Sequence, residues 1–175
     1  MNKSLKIIVI SGLPGSGKST VAEGLSQTLK MPVFSVDPIE SSVIKSGIKR
    51  SFETGLAAYL VAETLADEQL KHGISVIVDA VSPVKEARNM WKNLSKKYRA
   101  HLFVVECICS DSASHKNRIE SRVRKIHGIP EVTWEDVEAR RKEYLNWSEP
   151  RLVFDTCKHA KDEISEVLEY IEQNQ

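Results

Sequence analysis

The sequence predicts an α/β fold in which a parallel sheet is covered by helices on both faces. Short runs rich in β-branched residues alternate with longer stretches in which apolar residues recur at helical spacing. The short runs are apolar almost throughout, as strands are when helices bury both of their faces. No internal repeat, low-complexity stretch or linker interrupts the 175 residues, so we expect a single domain over residues 1–175.

Five apolar runs are the expected strands. In chain order they cover residues 5–11, 32–36, 74–80, 101–109 and 151–156. In a parallel sheet of this kind, ligands bind at the carboxyl ends of the strands. That rule directs attention to the residues at the ends of the five runs, which are Gly12, Asp37, Asp79, Ser110 and Asp155.

The segments between the first three strands are expected to be helical. One helix runs from Lys18 to about residue 30, a short one starts at Pro38, and a long one covers residues 54–72, where Gly73 ends it. The apolar residues at helical spacing in the long helix, which we expect to belong mainly to the core, are Leu56, Leu60, Val61, Leu65 and Leu70.

Four more helices are expected in the second half of the chain. The first begins at Ser82-Pro83 and reaches about residue 98, and a basic helix follows the fourth strand. Thr133 and Asp136 have the spacing of a capping box, with Asp in place of the usual Glu, and so predict another helix start. The last helix carries the apolar stripe Ile164, Val167, Leu168 and Ile171.

Composition argues against several classes of protein. The net charge is +1, so no overall field favours nucleic acid or a membrane surface as a partner. No apolar run approaches the roughly 20 residues that span a bilayer. Gly12 and Pro14 interrupt the apolar stretch near the N-terminus, which therefore lacks the core of a secretory signal. We expect a cytoplasmic protein with no membrane partner.

The chain has three cysteines, a small and odd number that predicts no disulfide framework and suits a reducing compartment. Cys107 and Cys109 alternate within a strand and so point to one face. A metal-binding pair would have this spacing, but no second Cys/His pair accompanies them. Burial as small apolar residues is therefore the favoured interpretation.

The stretch GLPGSGKST, residues 12–20, predicts a phosphate-binding loop. It satisfies the pattern G-x-x-x-x-G-K-[ST] and has a strand before it and a helix after it, as that motif requires. Its expected nucleotide-binding residues are Gly12, Pro14, Gly15, Ser16, Gly17, Lys18, Ser19 and Thr20. Lys18 would neutralise the β- and γ-phosphates of ATP and the Ser19 hydroxyl would ligate Mg²⁺. The dinucleotide fingerprint fails, because it would need glycine where the chain has Thr20.

The order of elements around this loop resembles the small P-loop kinases: adenylate kinase, gluconate kinase, chloramphenicol phosphotransferase and the polynucleotide kinase domain. The chain is most similar to the group of predicted ATP-dependent kinases described as zeta-toxin-like or AAA-type, and the resemblance covers essentially its whole length. It implies a three-layer P-loop NTPase fold with strand order 2-3-1-4-5 and a short helical lid at about residues 118–141. It also implies ATP and Mg²⁺ as substrate and cofactor.

Asp37, at the end of the second strand, is the candidate catalytic base. Its position resembles that of an aspartate in chloramphenicol phosphotransferase and polynucleotide kinase that activates the acceptor hydroxyl. The alternative is structural, since Asp37-Pro38-Ile39-Glu40 also has the composition of a helix start, with Asp37 as the N-cap. Many members of the group have an arginine a few residues beyond this aspartate, whereas here the next arginine is Arg50.

Asp79 and Arg88 are further candidates for the acceptor side. Asp79 ends the third strand, where an acid resembles the Walker B position and would hold Mg²⁺ through water; facing the acceptor and capping a turn are the alternatives. Related kinases have an arginine in the following helix that reaches the acceptor or the transferred phosphate, and Arg88 has that place. A solvated helical arginine is an equally good interpretation of Arg88.

The basic segment after the fourth strand resembles the start of an adenylate kinase-like lid. Arg118 and Arg122 are four residues apart and are expected to share one helical face. By resemblance Arg118 would pack over the adenine, and Arg122 would reach the phosphates. Arg140 resembles the arginine of the returning lid helix, with Arg141 competing for that role, and Arg124 could replace either member of the first pair.

Taken together, the sequence predicts an ATP-dependent kinase that transfers the γ-phosphoryl group to a hydroxyl of a small molecule. Lys18, Asp37, Arg122 and Arg140 are its expected catalytic residues. A polynucleotide 5′-hydroxyl is a disfavoured acceptor, because no basic track or aromatic platform extends beyond the lid. A nucleotide acceptor would call for more arginines between the second and third strands. A nucleotide-binding regulatory ATPase is the alternative from another class.

Overall fold

A five-stranded parallel sheet is the centre of the structure, a computed structural model that describes residues 4–123, 127–144, 147–159 and 163–174. The strands are β1 (Lys6–Ser11), β2 (Val33–Ser35), β3 (Val76–Asp79), β4 (His101–Ile108) and β5 (Leu152–Asp155). Their order across the sheet is β2-β3-β1-β4-β5, with every pair parallel, which confirms the predicted order. The carboxyl ends of all five strands therefore lie along one edge.

Helices cover both faces of the sheet. They are α1 (Lys18–Leu29), α2 (Val36–Lys45), α3 (Phe52–Lys71), α4 (Lys85–Tyr98), α5 (Ser112–Ser121), α6 (Trp134–Glu143) and α7 (Ser165–Gln173). Successive residues of β1 belong to separate cores: Ile7 packs with residues of α3 and α4, and Ile8 with residues of α1 and α7. The three-layer α/β sandwich is thus confirmed.

The buried face of α3 differs from the prediction. Leu56, Leu60, Val61 and Leu65 are 40–49% exposed. The buried positions are Thr54, the alanines Ala58, Ala62 and Ala66, and Leu70. Apolar residues occupy more than one face of this helix, so periodicity alone did not select the inner one. Alanines at successive turns allow the close packing against neighbouring elements that protein interiors require.

The interpretation of Cys109 as simply a buried apolar residue is wrong, because it forms a disulfide that the cysteine count did not predict. Cys109, just after β4, is bonded to Cys157, just after β5. The two residues are 48 positions apart in sequence, but β4 and β5 are paired neighbours, so their ends meet at the edge of the sheet. Cys107 is free and fully buried, as expected of a small apolar residue, and burial raises its pKa to about 12.

Candidate active site

The loop between β1 and α1 is folded tightly against the ends of β4 and β5. Gly12 has φ 135°, and a Cβ there would clash with the carbonyl oxygen of Cys107. Gly17, which precedes α1, has φ 88°, and a Cβ there would lie 2.9 Å from the side chain of Thr156. Only glycine combines these backbone angles with such close approach. The loop consequently presents the amino end of α1, a favourable place for phosphate oxygens, at the carboxyl edge of the sheet.

Lys18 is held at this loop in an electrostatically mixed environment. Its Nζ donates a hydrogen bond to the carbonyl oxygen of Leu13 at 3.1 Å. Desolvation lowers the pKa of Lys18, while the nearby carboxylates of Asp79 and Asp37 raise it in part. The sheet therefore brings the loop lysine and both strand-end aspartates within electrostatic range of one another.

Ser19 and Asp79, the two residues expected to ligate Mg²⁺, are hydrogen-bonded to each other. The Ser19 hydroxyl donates to Asp79 Oδ2 at 2.8 Å, and the Ser35 hydroxyl donates to the same oxygen at 3.3 Å. Asp79 is 7% exposed and lines the cavity beside the loop. Hydroxyl and carboxylate oxygens are ligands that Mg²⁺ prefers, so these residues fit that ion.

A cavity of about 760 Å³ opens above the loop, within the size range of small-molecule sites. The predicted site residues that line it are Pro14, Gly15, Gly17, Lys18, Ser19, Thr20, Asp37, Asp79, Arg118, Arg122 and Arg140. Two residues of the loop, Gly12 and Ser16, do not line the cavity, and Ser16 is almost fully buried. Arg88 and Arg141 do not line it either, and Arg124 lies outside the described residues.

One end of the cavity is built around Thr156, which sequence reasoning missed. Arg118 donates through Nη1 to Thr156 Oγ1 at 2.7 Å and through Nη2 to its carbonyl oxygen at 3.0 Å. Thr156 Oγ1 in turn donates to the carbonyl oxygen of Ser16, in the loop. His159 stacks on Phe154 at a centroid distance of 4.4 Å beside this threonine. The position of Thr156, directly after a strand end, was the available signal.

Asp37 does not cap α2, contrary to the structural alternative. The helix begins at Val36 and its N-cap is Ser35, so Asp37 lies within the first turn. Pro38 is accommodated because the first-turn N–H groups of a helix lack intrahelical partners. From this position Asp37 lines the cavity.

The cavity is also lined by an ion pair that sequence reasoning missed, between the buried Glu40 and the more exposed Arg50. Glu40, 8% exposed, accepts from Thr54 Oγ1 at 3.0 Å and from Arg50 Nε at 3.4 Å through the same oxygen. Glu40 and Arg50 both line the cavity. The composition of the helix start suggested only a capping role for Glu40. Its pairing was missed because Arg50 reaches it from the loop between α2 and α3.

The lid differs from prediction at its first arginine pair. The helix α5 ends at Ser121, and Arg122 is its C-cap with extended backbone, φ −80° and ψ 129°. Arg118 and Arg122 therefore do not share a helical face, although both line the cavity. The predicted capping box at Thr133 and Asp136 is confirmed at the start of α6.

Between these helices the described lid residues rest on α2. The Ser41 hydroxyl donates to the carbonyl oxygen of His127 at 2.9 Å, and a Cβ at Gly128 would clash with Ile44. Residues 129–133 then line the cavity. The lid therefore forms a wall of the half that contains Asp37 and Glu40.

Arg88 belongs to a separate buried cluster. Arg88 is 5% exposed, and its Nε donates to the carbonyl oxygen of Ser82 at 2.8 Å. Its Cζ lies 4.3 Å from the ring centroid of Trp147 and 5.3 Å from that of Tyr144. Tyr144 Oη is 2.8 Å from Ser11 Oγ, at the end of β1. The structure thus places Arg88 between the turn after β3 and the segment that follows α6, not in the cavity.

His115 connects α5 to the phosphate-binding loop. Its ring is 2% exposed, its Nε2 is 2.7 Å from the carbonyl oxygen of Pro14, and Trp134 packs edge-on against it at 5.3 Å. Burial lowers the pKa of His115, which favours the neutral ring. No motif signalled this contact, because it joins residues about 100 positions apart.

Comparison with known proteins adds relatives of two kinds. A sequence profile described as an AAA domain matches residues 7–144. The chain is 27% identical over 139 residues to the bifunctional polynucleotide phosphatase/kinase of Schizosaccharomyces pombe, covering 77% of this chain but only 29% of that protein. It is 25% identical over 170 residues to the adenylyl-sulfate kinase of Bacillus licheniformis, covering 94% and 84% of the two chains.

A solved structure supports the fold. The APS kinase of Mycobacterium tuberculosis, in complex with AMPPNP and APS, superimposes with a TM-score of 0.69 at 22% identity and covers 97% of this chain and 98% of that one. Among the described helices, none is long and apolar enough to cross a membrane.

Proposed function

The chain belongs to the AAA domain family, which confirms the resemblance to P-loop kinases, and from this premise we propose that it is an ATP-dependent kinase acting on a small-molecule hydroxyl. The observation that carries the proposal is that one cavity is lined by both the phosphate-binding loop and Asp37. A protein that only bound and hydrolysed ATP would not need the half of the cavity that α2 and the lid bound.

In the proposed reaction Asp37 takes the proton of the acceptor hydroxyl. The hydroxyl oxygen forms a bond to the γ-phosphorus of ATP, and the bond from that phosphorus to the β,γ-bridging oxygen breaks, which releases ADP. The proton is held on Asp37 until solvent removes it. The proposal is supported by the presence of Lys18, at the loop, and Asp37 in the lining of the same cavity.

Three cations are proposed to stabilise the transferring group. The triphosphate would bring negative charge to Lys18 and so favour its charged form against the desolvation that lowers its pKa. Arg122 and Arg140, which line the cavity from the lid, are proposed to offset charge on the γ-phosphoryl oxygens. When bound, Mg²⁺ would neutralise phosphate charge, and Ser19 and Asp79 would hold it, directly or through water.

The nucleotide half is proposed to bind the base and ribose of ATP. Arg118 is fixed by its two hydrogen bonds to Thr156, which leaves its planar guanidinium available for stacking on the adenine. The stacked rings of Phe154 and His159 line the same cavity and are proposed to contact the base. We further propose a cytoplasmic location, where the Cys109–Cys157 disulfide would be open to reduction.

The test is ATP turnover measured alone and against a panel of sugars, nucleosides, antibiotics and 5′-hydroxyl oligonucleotides. Turnover stimulated by one acceptor and abolished in Asp37→Ala supports the kinase, with Asp67→Ala, outside the cavity, as the matched control. Slow hydrolysis that no acceptor and no Asp37 substitution alters would instead indicate a regulatory ATPase.

A polynucleotide 5′-hydroxyl is the second candidate acceptor. The 27% identity to a polynucleotide phosphatase/kinase over 77% of this chain favours it. Stimulation by the oligonucleotides, and by no small molecule in the panel, would select this acceptor over the first.

A further inference from the structure

The acceptor half of the cavity has two carboxylates on one face of α2. Asp37 and Glu40 are three residues apart and both line the cavity. Residues at this spacing are neighbours on a helix surface, with Cβ atoms roughly 5–6 Å apart. A molecule that presents a hydroxyl to Asp37 therefore places its adjoining groups next to Glu40.

Glu40 is more than a link between two helices. A buried carboxylate is costly unless donors compensate it, and Arg50 and Thr54 do so at a single oxygen, Oε1. Thr54 belongs to the capping box at the start of α3, so this hydrogen bond also joins α2 to α3. A purely structural role would account for that bond, but it would not explain why Glu40 and Arg50 both line the cavity.

Arg50 binds Glu40 through only part of its guanidinium. Its Nε donates to Glu40 Oε1, and its side chain is 42% exposed. Arg50 lines the cavity, and a guanidinium carries five N–H donors, of which the bond to Glu40 uses one. The pair thus combines an acceptor, Glu40, with several donors from Arg50.

Building on the proposed kinase function, we propose that Glu40 and Arg50 bind a second polar group of the acceptor and select an uncharged, hydroxyl-bearing molecule over a phosphorylated or sulfated one. A hydroxyl can donate to Glu40 and accept from Arg50 at once. A phosphate or sulfate can only accept, and at Arg50 it would approach the carboxylates of Glu40 and Asp37. Like charges brought together in this way repel and so disfavour the anion.

This selection would separate the chain from its adenylyl-sulfate kinase relative, whose named substrate is an anion. The Glu40 carboxylate is the deciding group, because it offsets the charge that Arg50 would otherwise offer to an anion. Replacing Glu40 by glutamine removes that charge and keeps the size and a hydrogen-bond acceptor.

The experiment compares matched acceptor pairs: ribitol with ribitol 5-phosphate, glucose with glucose 6-phosphate, and adenosine with AMP. Acceptor-dependent ADP release is measured for the wild type, Glu40→Gln and Arg50→Met, with Lys49→Met as the control for an exposed cation beside Arg50. The KM for ATP and the thermal midpoint of each variant report on the nucleotide half and on folding.

We expect the neutral member of the best pair to be used at least ten times more efficiently by the wild type. In Glu40→Gln the KM for the neutral acceptor rises about tenfold with kcat nearly unchanged. The ratio of kcat/KM for the charged acceptor to kcat/KM for the neutral one rises by a similar factor, which corresponds to roughly 1.4 kcal/mol of lost discrimination. Arg50→Met raises the same KM, and Lys49→Met has no effect.

Preference of the wild type for a phosphorylated member overturns the inference and leaves the kinase function standing. The inference is also overturned if Glu40→Gln changes the thermal midpoint but changes neither the KM for the acceptor nor the ratio of charged to neutral kcat/KM. That result is what a purely structural link between the helices would give. If no acceptor stimulates turnover, the proposed function itself fails and the inference fails with it.

Discussion

Replacing Arg88 by methionine should destabilise the fold rather than weaken acceptor binding. The hydrogen bond from Arg88 Nε to the Ser82 carbonyl oxygen, at 2.8 Å, is a bond to a charged donor and contributes about 2 kcal/mol. The desolvated contact with Trp147, at 4.3 Å, adds about 2 kcal/mol. Methionine retains the apolar stem and avoids burying a charge, which recovers about 1 kcal/mol.

The net loss is therefore about 3 kcal/mol in the free energy of unfolding. For a chain of this size it corresponds to a fall of roughly 6–12 °C in thermal midpoint. Urea unfolding at neutral pH measures it, with Lys85→Met, an exposed position on the same helix, as the control. Unchanged stability within about 0.5 kcal/mol, together with a raised KM for the acceptor, would refute this reasoning and restore the acceptor role suggested by the sequence.

Three further predictions concern other contacts. Cys157→Ser should lower the free energy of unfolding by about 4 kcal/mol under oxidising conditions, because the disulfide closes a loop of 48 residues. In the presence of a reductant the loss should be far smaller, and equal losses in both conditions would contradict the disulfide. The folded-state pKa of His115 lies below the unfolded value near 6.5, so its contribution to stability is present above pH 6.5 and declines below it, by up to about 1.4 kcal/mol per pH unit. Urea unfolding at pH 7.5 and 5.5 should show a decline that is smaller in His115→Gln, and an identical decline in both proteins would count against burial of a neutral ring. Asp79→Asn should raise the Mg²⁺ concentration needed for half-maximal turnover at least tenfold, measured by Mg²⁺ titration at saturating ATP; an unaltered titration would remove Asp79 from the metal site.

The sequence was sufficient for the sheet because the information is local. Each apolar run, and the capping box at Thr133 and Asp136, reflects interactions within a few residues. The strand order came from resemblance to P-loop kinases rather than from periodicity. The phosphate-binding loop was recognisable because backbone angles and close approach demand glycine at Gly12 and Gly17.

What the sequence missed depends on contacts between distant segments. Cys109 and Cys157 meet only because β4 and β5 are neighbours. Glu40 becomes a cavity residue because Arg50 reaches it from the following loop. Helix boundaries were a second source of error, since α5 ends one residue before Arg122 and so gives it a different direction from Arg118.

The most direct test of the central claim follows the γ-phosphoryl group itself. ATP labelled at that group is incubated with the enzyme and the acceptor panel, and the label is separated into inorganic phosphate and organic product. The kinase account predicts that label accumulates in one stable organic phosphate, in equal amount to ADP, and that Asp37→Asn abolishes this product. Recovery of all the label as inorganic phosphate, whichever acceptor is present, would contradict it.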